Sequence, residues 1–387
     1  MNRIFLLLFF LISNVFAQWN DWTDAESVQE NLLKAQEEKK IYFSQFHLFD
    51  VRNDNNIQSS VFREKTKENL YIYGLDFYYA SGTYFDSTYK ATKRKNIIEV
   101  VREQWRVNRA IPSFSWHLEN PYVKSSFRNY MGCRYRKSVD VIGYPSKHRY
   151  VIHEILNHSG DTCGFGRYKS VDDFSMVYQN PAEWFDARTR EIAAIINEFV
   201  DDSGKPIPFI FRLWHEMEDN WMWWGKNHVT PSDYKAFFAL TRKKIMEYTP
   251  KAQILWAYSP DSYLDSEEKF MERYPGDEYV DIIGYDDYKI AKPQYREREI
   301  LYARMVSKLA KAHGKVAAMF ETSNSYRPTS DYFFKEMLLP VLNDSLVSIG
   351  LFQMWSSGLF ENDAQYEDRL FFLNQDNVLK VEKNNEK

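Results

Sequence analysis

Runs of apolar, β-prone residues recur along the chain, and most are followed by a stretch whose apolar positions have helical spacing. The strands predicted from these runs are 41–46, 71–79, 110–116, 207–215, 253–258, 279–285, 315–320 and 347–355. The predicted helices are 24–39, 88–107, 182–200, 231–248, 296–312, 330–343 and 364–372. This alternation predicts an α/β fold, a (β/α)8 TIM barrel. An open doubly wound sheet is the alternative.

The third predicted strand is followed by a long insertion of about 65 residues before helix 182–200. Its aromatic content favours an ordered wall of a cleft. Cys133 and Cys163 both lie in it and could form a disulfide or remain two buried thiols. Because no linker or repeat interrupts the chain, we expect one domain over 18–380 and a disordered polar tail at 381–387.

The first 17 residues have the pattern of a signal peptide. Arg3 supplies the positive charge, 4–12 are apolar, and small-residue spacing around Ala17 suits cleavage before Gln18. A membrane anchor is the alternative, but the apolar run is short for a span. We therefore expect an exported protein, periplasmic or extracellular, with no membrane segment in its mature form.

Composition narrows the class of partner. Aromatic residues make up 17% of the chain, more than a core needs, and the net charge is −4. An acidic chain is a poor match for nucleic acid, whereas exposed rings suit neutral polar ligands. No glycine-rich phosphate loop occurs, and Asp219 stands where a zincin would have its second histidine, so we expect no cofactor and no metal.

The segment 211–225, FRLWHEMEDNWMWWG, carries the strongest chemical signal. His215 and Glu216 end the fourth predicted strand, and four tryptophans surround them in sequence: Trp214, Trp221, Trp223 and Trp224. Carboxyl groups among aromatic walls resist ionisation and can act as general acids, and aromatic faces are platforms for sugar rings. Core packing is the competing interpretation, favoured for Trp223 and disfavoured for Trp221.

A second acid, Glu321, ends the seventh predicted strand, which contains no other acid. Alone it could be structural. In a barrel, however, strands four and seven end at one mouth, and paired carboxyls there are what glycoside hydrolysis requires. Further strand-end candidates are Trp116, His117, Tyr285 and Trp355. A second His-Glu pair, His153-Glu154, is interpreted as structural because it lies in the insertion.

The ordered motifs resemble those of glycoside hydrolase family 26, which is dominated by β-mannanases. They are WHEMEDNWMWWG, FSWHLENP (114–121), VDIIGYDDY (280–288), MFETSNSY (319–326) and FQMWSSG (352–358). The resemblance implies that Glu216 is the acid/base and Glu321 the nucleophile. His215 matches the histidine that this family has before its acid/base.

The same resemblance assigns substrate-binding positions. It implies that Tyr285 hydrogen-bonds the nucleophile and that Trp355 forms the apolar floor under the −1 sugar. Trp221 matches a tryptophan on the leaving-group side. His117 and Tyr326 match positions on the non-reducing side, and Trp116 is expected beside them.

Three departures from the family pattern stand out. Glu218-Asp219 replaces the common Asn-Gly, Ser356 replaces an arginine, and Phe46-His47 replaces an N-terminal Gly-His. The lost arginine puts a −2 sugar contact in doubt.

The resemblance implies a retaining hydrolase of β-1,4-mannosidic bonds in mannan or galactomannan, acting by double displacement. Internal cleavage and release of short products such as mannobiose both stay open. The alternatives are a non-catalytic glycan-binding barrel, or a relative acting on β-1,3-xylan or mixed-linkage β-glucan. The expected partner is β-mannan or a manno-oligosaccharide; the sequence does not indicate an oligomeric state.

Overall fold

The computed structural model describes residues 19–46, 48–51, 61–81, 87–120, 151–158, 181–218, 222–262, 264–291, 293–323, 332–355 and 363–381. Its strands are β1 (Ile41–Phe46), β2 (Ile72–Asp76), β3 (Ile111–Ser115), β4 (Phe209–Arg212), β5 (Ile254–Tyr258), β6 (Ile282–Asp286), β7 (Val316–Glu321), β8 (Leu351–Met354) and β9 (Val378–Leu379).

The helices are α1 (Ala25–Glu37), α2 (Val61–Thr66), α3 (Ser87–Asn108), α4 (Val151–Leu156), α5 (Pro181–Ile196), α6 (Pro231–Tyr248), α7 (Glu267–Met271), α8 (Arg296–Ala312), α9 (Leu339–Leu342) and α10 (Asp363–Leu373). A π-helical turn, Phe333–Leu338, leads into α9. Helix α6 begins at the predicted residue, α1 begins one residue after its own predicted start, and both starts are capped. Asp24 and Ser27 form a capping box on α1, and Thr230 caps α6 ahead of Pro231.

The strands form a closed parallel barrel. Each of β1 to β7 pairs in parallel with the next strand, and β8 returns to pair with β1. The short β9 adds to β1 at Ile41 and Tyr42. The predicted TIM barrel is therefore confirmed. The carboxyl ends of all eight barrel strands share one mouth, which is where this fold places its chemistry.

All eight predicted strands are present, most of them shorter than the apolar runs that indicate them. The structure adds β9 and the short helices α2, α4 and α7, which have too few turns to show a periodic pattern. Helix α4 belongs to the predicted insertion. Most of that insertion, with Cys133 and Cys163, lies outside the described residues, as do residues 1–18 and 382–387.

The core is rich in aromatic side chains. Phe211 stacks on Trp256 with ring centroids 5.6 Å apart, and Phe77 stacks on Phe114 at 4.1 Å. Gly74 is required at its position, because a Cβ there would lie 2.5 Å from the Phe46 ring. Among the described helices, none combines the length and hydropathy of a membrane span.

Candidate active site

Glu321, the last residue of β7, is buried and held from two sides. Arg212 donates from Nη2 to its Oε1, and Tyr288 donates to its Oε2 at 2.8 Å. Arg212 also donates from Nη1 to Asp286 Oδ2 at 2.6 Å. One guanidinium therefore bridges two carboxylates inside the barrel, and its charge favours their ionised forms. At Asp286 burial outweighs the guanidinium and leaves the pKa of that carboxyl raised.

A register shift between β6 and β7 sets this arrangement. Tyr285 pairs with Met319, but the next residue, Asp286, pairs with Glu321 rather than Phe320. Such a bulge re-aims side chains near functional sites. It brings Asp286 and Glu321 onto the same arginine.

Arg212 was not among the residues selected from the sequence. It stands at the end of the apolar strand β4 and is fully buried. An arginine in a buried strand is rare unless it is paired, so its position in FIFR was the available signal.

The expected hydrogen bond from Tyr285 to the nucleophile is wrong. Tyr288 makes that bond, three residues later in the same motif. Tyr285 faces outward from β6, where its ring packs 5.1 Å from the ring of Tyr302 on α8. Burial raises the pKa of Tyr285, and the neighbouring Glu299 and Asp287 add to the effect. Successive strand residues face opposite sides, so Tyr285 and the inward Asp286 cannot share the site.

His215 and His117 form a connected pair beside Glu321. Their Nε2 atoms lie 3.2 Å apart, and His215 Nε2 is 3.8 Å from Glu321 Oε1. Burial lowers the pKa of His215 well below its usual value, and the charges of Arg212 and His117 lower it further. His215 is therefore neutral and lies next to Glu321 without neutralising its charge.

Asp76, at the end of β2, anchors His117. Its carboxylate accepts from His117 Nδ1, and from Ser115 Oγ at 2.8 Å. Burial acts to raise the pKa of Asp76, but His117 and the bonds from Ser115 and the Tyr78 N–H outweigh it and leave that pKa lowered. Sequence reasoning found His117 and missed Asp76.

Glu216 lies beyond the end of β4 in an unusual backbone conformation. Its φ is +52°, and Trp214, two residues earlier, has φ +49°. The left-handed region is sparsely populated by non-glycine residues and costs about 1–3 kcal/mol per residue. Hydrogen bonds hold it: Glu216 N–H donates to Ser259 O at 2.9 Å, and Tyr234 Oη donates to Trp214 O at 2.9 Å. The residue is only 4% exposed.

Glu218 follows Glu216 by two residues and is also buried. Its Oε1 accepts from the backbone N–H of Asp261, which lies just beyond β5. Burial raises the pKa of Glu218 well above its usual value, and the charges of Asp261 and Glu216 act in the same direction.

The tryptophans after β4 support the site from behind. Trp214, Trp223 and Trp224 are buried, and their ring centroids lie 5.3 to 5.7 Å apart. Trp223 donates to Leu118 O at 2.9 Å, and Trp224 donates to His215 O at 2.8 Å. The core-packing interpretation of Trp223 is confirmed.

The expectation that Trp116 contacts substrate does not fit its position. It has no exposed surface, its ring centroid lies 5.4 Å from that of Trp214, and its Nε1 donates to Ser81 Oγ at 3.0 Å. Trp116 follows the inward Ser115, so strand alternation turns its ring outward into the helix layer.

Trp355, beyond β8, retains partial exposure at the barrel mouth. Its ring centroid lies 4.6 Å from Phe46 and 5.8 Å from His117. Gly74 leaves room for Phe46, which in turn supports Trp355. The ring is therefore placed where an apolar sugar face can rest.

Donor atoms of His215, Asp286 and Glu321 lie within 4.8 Å of one another, a spacing that a metal ion could use. Arg212 already bonds both carboxylates there, and a second cation beside the guanidinium would be repelled. The residues therefore fit a metal poorly.

Trp221 and Tyr326 lie outside the described residues, so their substrate contacts stay predictions. His153-Glu154 belongs to α4 in the outer layer, where His153 Nδ1 is 3.1 Å from Asp233 Oδ2.

Comparison with known proteins identifies the family of the chain. The sequence profile of glycosyl hydrolase family 26 matches residues 20–366. A mannan endo-1,4-β-mannosidase of Bacillus subtilis strain 168 is 25% identical over 305 residues, covering 73% of this chain and 72% of the relative. One from Bifidobacterium adolescentis is 30% identical over 194 residues, 47% of this chain. This match spans only 19% of that relative's length.

The fold also matches solved structures. The catalytic domain of an endo-β-1,4-mannanase from Bacillus sp. JAMB-750 superposes with a TM-score of 0.72, covering 93% of this chain and 92% of that one. Its sequence identity is 22%, so the likeness supports the barrel fold alone.

Proposed function

The chain belongs to glycosyl hydrolase family 26, and we propose on that premise that it cleaves β-1,4-mannosidic bonds in mannan with retention of configuration. The single observation that carries the proposal is the hydrogen-bonded Glu321, which receives a guanidinium and a tyrosine hydroxyl, beside the segment that bears Glu216. The named relatives, curated as mannan endo-1,4-β-mannosidases, support mannan as the substrate.

In the proposed first step, a Glu321 carboxylate oxygen bonds to the anomeric carbon while the glycosidic C–O bond breaks. The leaving oxygen takes the bonding electrons and a proton from Glu216. Arg212 and Tyr288 occupy one oxygen each and fix the plane of the attacking carboxylate. The neutral His215 lies near enough to orient the sugar without neutralising Glu321.

In the second step, Glu216 takes a proton from water as the water oxygen bonds to the anomeric carbon. The bond to Glu321 breaks and its electrons return to the carboxylate. Two inversions give net retention. Trp355 would support the apolar face of the reacting sugar throughout.

The test measures reducing ends released from soluble unbranched mannan by the wild type and by Glu321→Ala. We expect release by the wild type with a β-anomeric product, and a loss of about 10⁴-fold or more in Glu321→Ala. Glu154→Ala is the matched control, since it removes the acid of the other His-Glu pair. Parallel assays on β-1,3-xylan and mixed-linkage β-glucan decide the polymer. A wild type that binds mannan and releases nothing would favour a glycan-binding barrel.

The proposal extends to location, on sequence pattern alone. A polymeric substrate has to be met outside the cytoplasm, and residues 1–17 have the charge, apolar run and small-residue ending of an export signal. Mass measurement of the protein recovered from the native host should give a chain beginning at Gln18. A full-length chain in the cytoplasmic fraction would contradict it.

A further inference from the structure

Glu218 is a second buried acid, two residues after the proposed acid/base Glu216. The proposed function uses Glu216 and Glu321 and leaves Glu218 without a role. Its side chain is buried, and its Oε1 accepts the Asp261 N–H. Its other oxygen, Oε2, has no hydrogen-bond partner among the described residues.

The contact with Asp261 connects two loops at the barrel mouth. On one side, Glu218 is fixed in the short segment that follows β4 and carries Glu216. On the other side, Asp261 pairs with Asp286 in a parallel bridge, and Ser262 N–H donates to Asp286 O at 2.9 Å. The side chain of Glu218 therefore attaches the acid/base segment to the end of β6.

From Asp286 the connection continues to the nucleophile. Asp286 binds Arg212, and Arg212 binds Glu321. Arg212 in turn is the last residue of β4, four residues before Glu216. The two proposed catalytic carboxyls are thus joined in a closed ring of contacts. In this ring Glu218 supplies a side-chain link between the segments after β4 and β5, beside the backbone bond from Glu216 N–H to Ser259 O.

The surroundings favour the uncharged form of Glu218. The groups that face it are Glu216, Asp261, Tyr234, Tyr258, Tyr302 and Arg273. A cavity of about 260 Å³ lies behind it, also lined by Lys226, Lys269 and Glu272. Arg273 lies next to the Glu272 carboxylate, and Lys269 is 2.7 Å from Asp265, so two of the three cations in this lining already have anionic partners. Burial raises the pKa of Glu218, with Asp261 and Glu216 adding to the effect.

We propose that Glu218 is a positioning residue for Glu216, and that it acts as an uncharged acid whose carbonyl oxygen holds the acid/base segment on the β5 loop. This inference rests on the proposed function, because it needs Glu216 to be the acid/base. An uncharged acceptor fixes the backbone without adding a second negative charge beside a group that has to become a carboxylate in the first step.

Two variants separate shape from charge. Glu218→Gln keeps the acceptor and removes the ionisable group, whereas Glu218→Ala removes both. The readout is kcat on mannan and the rate of the first step on a dinitrophenyl β-mannoside, whose leaving group needs little help from an acid. We expect Glu218→Ala to lower kcat on mannan about 10-fold or more and the dinitrophenyl rate by less than about 3-fold. We expect Glu218→Gln to recover mannan activity to within about 3-fold of the wild type.

Asp368→Asn is the matched control. Asp368 is another buried acid with a raised pKa that accepts backbone N–H bonds, at Phe334 and Lys335, and it lies on α10 in the helix layer. The Asp368→Asn variant should have a lower thermal midpoint of unfolding. Any loss of activity in it should be the same on mannan and on the dinitrophenyl β-mannoside. Equal losses on both substrates in Glu218→Ala, or a Glu218→Gln as impaired as Glu218→Ala, would overturn the positioning role. A wild type that acts on neither substrate would instead contradict the proposed function.

A stability measurement tests the charge state without any substrate. The pKa of Glu218 is raised in the folded state. As pH rises above the ordinary value of 4.5, Glu218 therefore loses its proton in the unfolded chain before it does so in the folded protein. The stability of the wild type should then fall relative to Glu218→Gln as pH rises above that value. A difference that changes in the opposite direction would show that Glu218 works as a carboxylate, against the proposal.

Discussion

The two carboxyl groups at the barrel mouth are held in opposite ways. Glu321 is the last residue of β7 and receives a guanidinium and a phenol hydroxyl. Glu216 lies past its strand with a left-handed backbone, fixed through its own N–H to Ser259, with a second acid two residues away. Positive donors stabilise a carboxylate. The difference teaches that backbone placement and charge together divide the two roles.

The largest effect that separates the two regions should come from Glu216→Ala. We expect a loss of about 10³-fold on mannan, because general acid catalysis commonly contributes about 10²–10⁴-fold. The first step on a dinitrophenyl β-mannoside should be nearly spared, and azide should restore turnover by replacing the activated water. Steady-state and burst kinetics measure both. Equal losses on activated and natural substrates would mean that the role assignment is wrong.

The next effect tests the charge at Glu321. Arg212→Met leaves Asp286 and Glu321 buried without their shared cation, which should cost about 3–5 kcal/mol of unfolding free energy. Denaturant unfolding at pH 7 measures it. Arg106→Met is the control, since Arg106 pairs with Glu103 on an exposed helix face and its removal should leave stability unchanged. Similar results for the two variants would show that the buried bridge stabilises little.

A smaller effect sharpens the assignment of the tyrosine. Tyr288→Phe removes the donor to Glu321 Oε2 and should lower kcat by about 10–30-fold. Tyr285→Phe removes a hydroxyl on the outer face of β6 and should change kcat by less than about 3-fold. Measuring both on mannan compares two tyrosines of one motif. The reverse order would restore the sequence-based assignment.

The smallest effect concerns the support of His117. Asp76→Asn should cost about 1–2 kcal/mol of stability at pH 7, because a charged partner of a buried imidazole is lost. The pKa of Asp76 is lowered from 3.8 in the folded protein, so its contribution is present above that value and is lost as pH falls. Unfolding midpoints of both proteins from pH 7 to pH 3 should converge in acid. A difference in unfolding midpoint that stays constant from pH 7 to pH 3 would show that ionised Asp76 does not stabilise the protein.

The barrel could be predicted from the sequence because each buried parallel strand is an apolar run, and each run ends in a polar or aromatic residue. Glu216 and Glu321 could be predicted because each follows an apolar strand, and the two strands end at one mouth of a barrel. His117 and His215 followed from adjacency to those strand ends. These signals are local in sequence, and the residues that give them lie at strand ends, which the barrel places at its mouth.

What could not be predicted depends on register and on contacts distant in the chain. The choice between Tyr285 and Tyr288 depends on which residues of β6 face the mouth, and the contact of Asp286 with Arg212 decides this. Asp76 is 41 residues from His117, and Arg212 is 109 residues from Glu321. Trp116 is different, since simple strand alternation from Ser115 would have turned it away from the substrate.

The arrangement of β1 has a consequence for the order in which the fold can assemble. β1 pairs along one edge with β2, which follows it within about thirty residues. Its other edge pairs with β8 and β9, which follow more than three hundred residues later. One edge of β1 is therefore unpaired during nearly the whole of chain synthesis. Pairing between strands so distant in sequence slows folding and leaves aggregation-prone intermediates exposed. Removing Val378 and Leu379 should then reduce the yield of folded protein far more than their small contact area suggests.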